Sequence, residues 1–121
     1  MPYKIVWHSD LSALVVHYEG SVSLDDYLRM CAERAEWIDK AAGSVSVVMD
    51  MRSLQNFPDA AKVDDTENVL QHENVQRVLI VVDDELYEKL QDAVVDDTQR
   101  LWPVHFFSDV EQALAFIEQA Q

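Results

Sequence analysis

Three aspartates stand where chemistry would be expected in this chain: Asp50 closes one apolar run, and Asp83 and Asp84 close another. At the carboxyl ends of parallel strands, where open α/β sheets place ligands, they would offer the oxygen donors that Mg²⁺ prefers. Simpler work is open to the same residues. Asp83 or Asp84 can cap a helix, and Asp50 can accept backbone amides in the segment it opens. Three scattered aspartates have no ligand spacing, so the capping reading is preferred. His8, His17, His72 and His105 fall on different elements, with no pair one helical turn apart, so no zinc site is expected. Cys31 is the only cysteine; it lies in a helical pattern, reads as a small hydrophobe and permits no internal disulfide. No serine occupies a Gly-x-Ser-x-Gly elbow. Gly20 and Gly43 are the only glycines, which excludes a glycine-rich phosphate loop. The expectation is a non-enzymatic chain without a cofactor.

Charge narrows the partners. Nine Lys and Arg against 23 Asp and Glu give a net charge of −14. Such a surface repels nucleic-acid phosphates and anionic lipid headgroups, and suits either simple solubility or a basic protein partner. The apolar runs are too short to cross a bilayer, and Met-Pro-Tyr-Lys lacks the basic-then-apolar order of a signal peptide. A cytoplasmic setting, with no membrane insertion, is the expectation.

The elements that must position these residues follow from hydrophobic pattern. With 121 residues, 49% of them apolar, the sequence reads as a single domain over residues 1–121. Val45–Met51, Val78–Val82 and Val104–Phe107 are each followed by a helical pattern. A strand apolar at nearly every position must be covered on both faces, which calls for repeated strand–helix units. Tyr3–His8 and Ala13–Glu19 read as two further strands, joined by the polar turn Ser9–Ser12 and therefore antiparallel; Gly20 should end the second. In the first helix Leu24, Leu28, Cys31, Ala35, Ile38 and Ala42 form the stripe expected to face the sheet, with Ser21 or Ser23 as cap and Gly43 as stop. Arg29, Glu33, Arg34, Glu36 and Lys40 are assigned to its wet side. Arg52–Pro58 reads as a loop, Asp59 to about Gln71 as a sparse helix, Gln76–Val82 as a strand and Asp84–Val95 as a helix. Pro103–Phe107 is the last strand, and Ser108–Glu111 reads as a capping box opening a final helix. The fold class is α/β: a five-stranded mixed, mainly parallel sheet with helices on both faces, in the order β-β-α-β-α-β-α-β-α.

Two stretches resemble a known family. Val47-Val48-Met49-Asp50-Met51-Arg52-Ser53-Leu54, followed by Phe57-Pro58-Asp59-Ala60-Ala61, is similar to the STAS signature. There a hydrophobic strand ends in Asp-Leu, and Asp-Ser-Ser-Gly then opens a helix. Arg77–Val82, Glu88-Lys89-Leu90, His105-Phe106-Phe107 and Glu111-Gln112-Ala113-Leu114 look closest to the SpoIIAA-like subgroup. The resemblance covers nearly the whole chain and implies the fold of the bacterial anti-sigma-factor antagonists. In those the phosphoacceptor is the first serine of the signature, which here falls on Ala60. Alanine has no hydroxyl, so the resemblance carries the fold and not the phosphorylation switch; the next position is Ala61, and the glycine is Lys62.

Three functions are thereby in view. The first is a regulatory or interaction module working by protein–protein contact or self-association. Its contact residues would be Arg52, Phe57, Asp59, Ala60 and Lys62, with Phe57 as apolar anchor in the loop that STAS proteins use to meet partners. The second is a binder of a small apolar or lipid-like ligand between sheet and helices. The third is a Mg²⁺-dependent enzyme built on Asp50, Asp83 and Asp84. Trp7, Trp37 and Trp102 are assigned to packing, with a rim contact as the alternative.

Overall fold

The computed structural model of the chain describes residues 2–56, 74–85, 88 and 104–120. Five strands form one sheet: β1 (Tyr3–His8), β2 (Ala13–Ser21), β3 (Val45–Asn56), β4 (Val75–Val81) and β5 (Val104–Phe107). Their order in space is their order in sequence. β1 pairs antiparallel with β2, and β2 to β5 run parallel. Two helices are described, α1 (Leu24–Lys40) and α2 (Val110–Ala120). Residues 84, 85 and 88 are also helical, as expected of a helix opening at Asp84. The expected helix Asp59–Gln71, the remainder of Asp84–Val95, and His72 and Trp102 lie outside the described residues.

Both faces of the sheet are buried, as the apolar runs demand. α1 covers one face, where Tyr27, Met30 and Ile38 pack on Leu14, Val16, Val45, Val47, Met49 and Val78. α2 covers the other, setting Ala113 and Ile117 on Val15, Val48, Leu79 and Val81. Val110 and Leu114 join it partly buried, whereas Ala120 is exposed. In β3, Val47, Val48 and Met49 are all fully buried, so successive residues face opposite helical layers.

α1 presents a different face from the one its leucines suggest. Tyr27, Met30, Arg34 and Ile38 are the buried residues. Leu24 and Leu28 are 50% and 56% exposed, while Cys31 is partly buried against the core. Two apolar stripes lie side by side on this helix, and the one with the larger side chains turns inward. Tyr27 and Met30 fill space over a sheet face rich in small valines, which Leu24 and Leu28 would leave loose. Arg34, assigned to the wet side, is only 2% exposed; it lies against Met49 Sδ at 3.9 Å and Cys31 Sγ at 3.7 Å. Its long aliphatic stem lets an arginine lie on apolar surface.

The helix ends also differ in detail. Ser23 caps α1 in a capping box: its Oγ accepts from Asp26 N at 3.1 Å, and Asp26 Oδ2 accepts from Ser23 N at 3.4 Å. The helix stops at Lys40, before Gly43, because Ala41 turns extended and Asn74 Nδ2 donates to Ile38 O at 3.3 Å. α2 starts one residue later than the capping box predicts. Asp109 is the cap, accepting from Gln112 N at 2.7 Å, and Gln112 Oε1 reaches back to Ser108 N at 3.3 Å.

Two strand ends are longer than expected. β2 runs through Gly20 to Ser21, and β3 runs to Asn56 where a loop from Arg52 was expected. Each extension supplies the other's backbone partners: Glu19 faces Ser53, Gly20 faces Leu54 and Ser21 faces Asn56. Gly20 takes φ +67, a left-handed backbone that suits glycine.

Candidate functional site

The extension of β3 holds the most organised polar cluster among the described residues. Lys4, His17 and Asp50 are direct cross-strand partners on β1, β2 and β3, so they form one row across the sheet. The row lies on the α2 side, because residues 13, 15 and 48 on the same alternation belong to that face's core. Along the row the sheet passes from charged to apolar: Asp50 is followed by Val81 and Phe107.

Beyond Asp50 the register slips. His17 pairs with Asp50 and Glu19 with Ser53, so Met51 and Arg52 together stand opposite Tyr18 alone. This is a bulge, rare between parallel strands, and it changes which side chains share a face. Met51 and Leu54 both pack on the α1 core. Ser53, paired with Glu19, returns to the face of His17 and Asp50. An unbroken alternation would have turned Ser53 to the other side.

Asp50 is the anchor. Its carboxylate accepts Arg52 Nε and Nη2 at 3.0 Å each, Arg52 N at 3.2 Å and His17 Nδ1 at 3.0 Å. Each oxygen therefore takes two donors, one pair being a guanidinium fork. Burial works to raise the Asp50 pKa, but the bonds from Arg52 and His17 outweigh it and hold the carboxyl below its ordinary value. The Arg52 guanidinium is raised in turn, chiefly by its bond to Asp50, with Asp109 at the start of α2 adding to it. An ionised Asp50 can only accept, so His17 carries its proton on Nδ1, and in the neutral ring Nε2 is left with a lone pair.

A groove of about 280 Å³ opens over this cluster, lined by Tyr3, Lys4, His17, Tyr18, Glu19, Asp50 and Ser53. The side chains of His17 and Arg52 are 38% and 41% exposed, whereas that of Asp50 is 11% exposed. The buried acid thus orients two solvent-facing bases. Asp50, with both oxygens bonded, orients Arg52 and His17. Asp83 and Asp84 are exposed, and among the described residues no three His, Cys, Asp or Glu side chains converge on a cation position.

Three of the remaining candidates, His105, Trp7 and Trp37, make aromatic packing contacts. His105 packs tilted against Phe116 with ring centres 4.6 Å apart, and burial, then the charge of Arg77, lowers its pKa. Trp7 stacks with Trp37 at 6.0 Å on the α1 side of β1.

Residues 13–118 match the family model described as SpoIIAA-like. The chain belongs to the SpoIIAA-like family. The fold agrees with a solved structure, an uncharacterized protein of the DUF3478 family with a SpoIIAA-like fold from Shewanella loihica PV-4. The two chains are 21% identical over 95% of this chain and 91% of that one, with a TM-score of 0.70. No functionally curated protein matches the sequence.

Of the five contact residues expected in this SpoIIAA-like domain, Arg52 is placed at the carboxyl end of the sheet, locked to Asp50. Phe57, Asp59, Ala60 and Lys62 lie outside the described residues. Sequence reasoning missed His17 and Lys4 as members of the cluster. Their signal was present in the alternation of β2, where His17 and Glu19 interrupt an otherwise apolar face that Asp50 shares one strand away. Among the described residues no helix is long and apolar enough to cross a membrane.

Proposed function

We propose that the chain is a non-enzymatic interaction module that meets a protein partner at the carboxyl end of its sheet. The observation that carries this reading is the overhang of β3. Pairing with β4 stops at Asp50 and Val81, yet β3 continues to Asn56 with only β2 beside it among the described residues. An unpaired strand edge is a surface on which another chain can dock. Leu24 and Leu28, exposed on the first turns of α1, begin from the same end of the sheet and supply the apolar component. The chain is strongly acidic and the Arg52 cation is already paired with Asp50, so a basic partner surface with an apolar centre fits best. Membership of the SpoIIAA-like family supports a regulatory contact domain in general terms. With Ala60 at the phosphoacceptor position, such a contact would be constitutive with respect to a kinase acting there.

The apolar-ligand alternative gains no support from the groove described above, which is rimmed by Lys4, His17, Glu19, Asp50 and Ser53. The test is affinity capture with the intact chain and with Phe57→Ala and Leu28→Ala variants. Removing a central anchor weakens a specific contact by about 2 kcal/mol, roughly thirtyfold. If both variants retain every captured partner and the same subunit number in native mass spectrometry, the assignment of this surface is wrong.

A further inference from the structure

We propose that the groove over Lys4, His17 and Ser53 is a binding site for a small molecule bearing a single oxyanion, a carboxylate or a phosphate. Asp50 lies beneath it with both oxygens already bonded to Arg52 and His17, so the floor presents donors in place of a free acid. What remains open toward solvent is the Lys4 ammonium, the outer edge of the His17 ring and the Ser53 hydroxyl. Lys4 and Ser53 donate to the oxyanion, and His17 Nε2 joins them as a donor when the ring is protonated or accepts the ligand's own acidic proton when the ring is neutral. The bulge at Met51–Arg52 is what returns Ser53 to this face, beside the Lys4–His17 pair. The lysine is one of only nine Lys and Arg residues in a chain of net charge −14, and its cross-strand neighbour on this open shelf is a histidine.

Glu19 sets the charge of the ligand. It stands across from Ser53 on the groove wall and opposes a second negative charge, which favours a carboxylate or a phosphate monoanion over a dianion. It also offers an acceptor to a ligand hydroxyl or ammonium. The volume of about 280 Å³ falls just below the usual range of roughly 300–1,000 Å³ for ligand pockets, which limits the occupant to a small molecule. The groove shares Ser53 with the β3 overhang, but this inference does not rest on the protein contact proposed above, whose apolar residues lie elsewhere.

The experiment is histidine-ring NMR of the intact chain, titrated separately with acetate and with inorganic phosphate. Ionic strength is held constant, because surface charge attraction is screened within about 10 Å at 0.1 M salt. The expected result is a saturable shift of the His17 ring signals with a Kd of about 1 mM or tighter for one of the two anions. Lys4→Ala, an exposed position, should weaken it about fivefold or more, whereas Lys40→Ala on α1 should leave it unchanged. Acetate preferred over phosphate marks the ligand as a carboxylate, and the reverse marks a phosphate. A response that stays linear to about 50 mM for both anions, or one untouched by Lys4→Ala, overturns the proposal.

Discussion

Asp50 shows how one side chain can organise a neighbourhood. Its folded-state pKa lies below the ordinary value of 3.8, because Arg52 and His17 stabilise the charged form more than burial disfavours it. A depressed acid contributes stability above its unfolded value and loses it as pH falls through the folded one. Unfolding followed against pH should therefore show a stability loss that begins near pH 4 and continues below it. Asp50→Asn should flatten that limb and lower stability at neutral pH by about 1–3 kcal/mol, since donors from Arg52 and His17 lose an ionised acceptor. An unchanged acid limb in the variant would refute the assignment. Tyr3 is the contrasting case. Its hydroxyl is buried without a hydrogen bond of ordinary geometry, and burial, followed by the nearby Glu33 carboxylate, raises its pKa. Tyr3→Phe should be neutral or stabilising by up to about 1 kcal/mol in chemical denaturation, because it removes a polar atom that gains nothing. A loss above about 1 kcal/mol would mean that the hydroxyl is satisfied in solution.

At the scale of elements, the strands were legible and their fine placement was not. Apolar runs marked β3, β4 and β5 because strands buried on both faces need such residues at every position. The antiparallel β1–β2 pair followed from the shortness of Ser9–Ser12. The end of β3 escaped detection, since Arg52–Asn56 is polar and the bulge breaks its alternation. Backbone pairing with Glu19–Ser21 holds it extended whatever its side chains. The inner face of α1 was misjudged because leucine is the more conspicuous core residue, while Tyr27 and Met30 fit the valine-lined sheet better. The capping of α1 was partly legible: Ser23 was one of two serines considered, and its reciprocal bonds with Asp26 decide between them. Ser23→Ala should cost about 1 kcal/mol in thermal unfolding. No loss would show that the box contributes nothing. The site itself was only half visible, as Arg52 was read from the family signature while His17 and Lys4 required knowledge of which strands are neighbours.

For the molecule as a whole, charge is the dominant feature. With net charge −14 and few described ion pairs, mutual repulsion opposes compactness, and salt should relieve it. Raising NaCl from about 0.01 M to about 0.5 M shortens the screening length severalfold and should raise Tm in a calorimetric scan. A falling Tm would mean that attractive pairs such as Asp50–Arg52 outweigh the repulsion. The same field bears on partners: it favours basic protein surfaces at the β3 overhang and limits the groove to lightly charged anions. Sequence composition gave this much directly. Strand order, by contrast, depends on long-range pairing that no local pattern encodes.

Between Asp50 and Ser53 the chain spends two residues where its neighbour spends one. Excising Arg52 would therefore straighten the strand without turning any other side chain over: Met51 and Leu54 would still point inward, and Asp50 and Ser53 outward. Insertions and deletions usually scramble a strand, but at this spot the loss of a single codon is geometrically silent. Homologous chains one residue shorter here would retain the architecture and lose the guanidinium clamp, which makes local length, more than overall identity, the marker for which of them share this cluster.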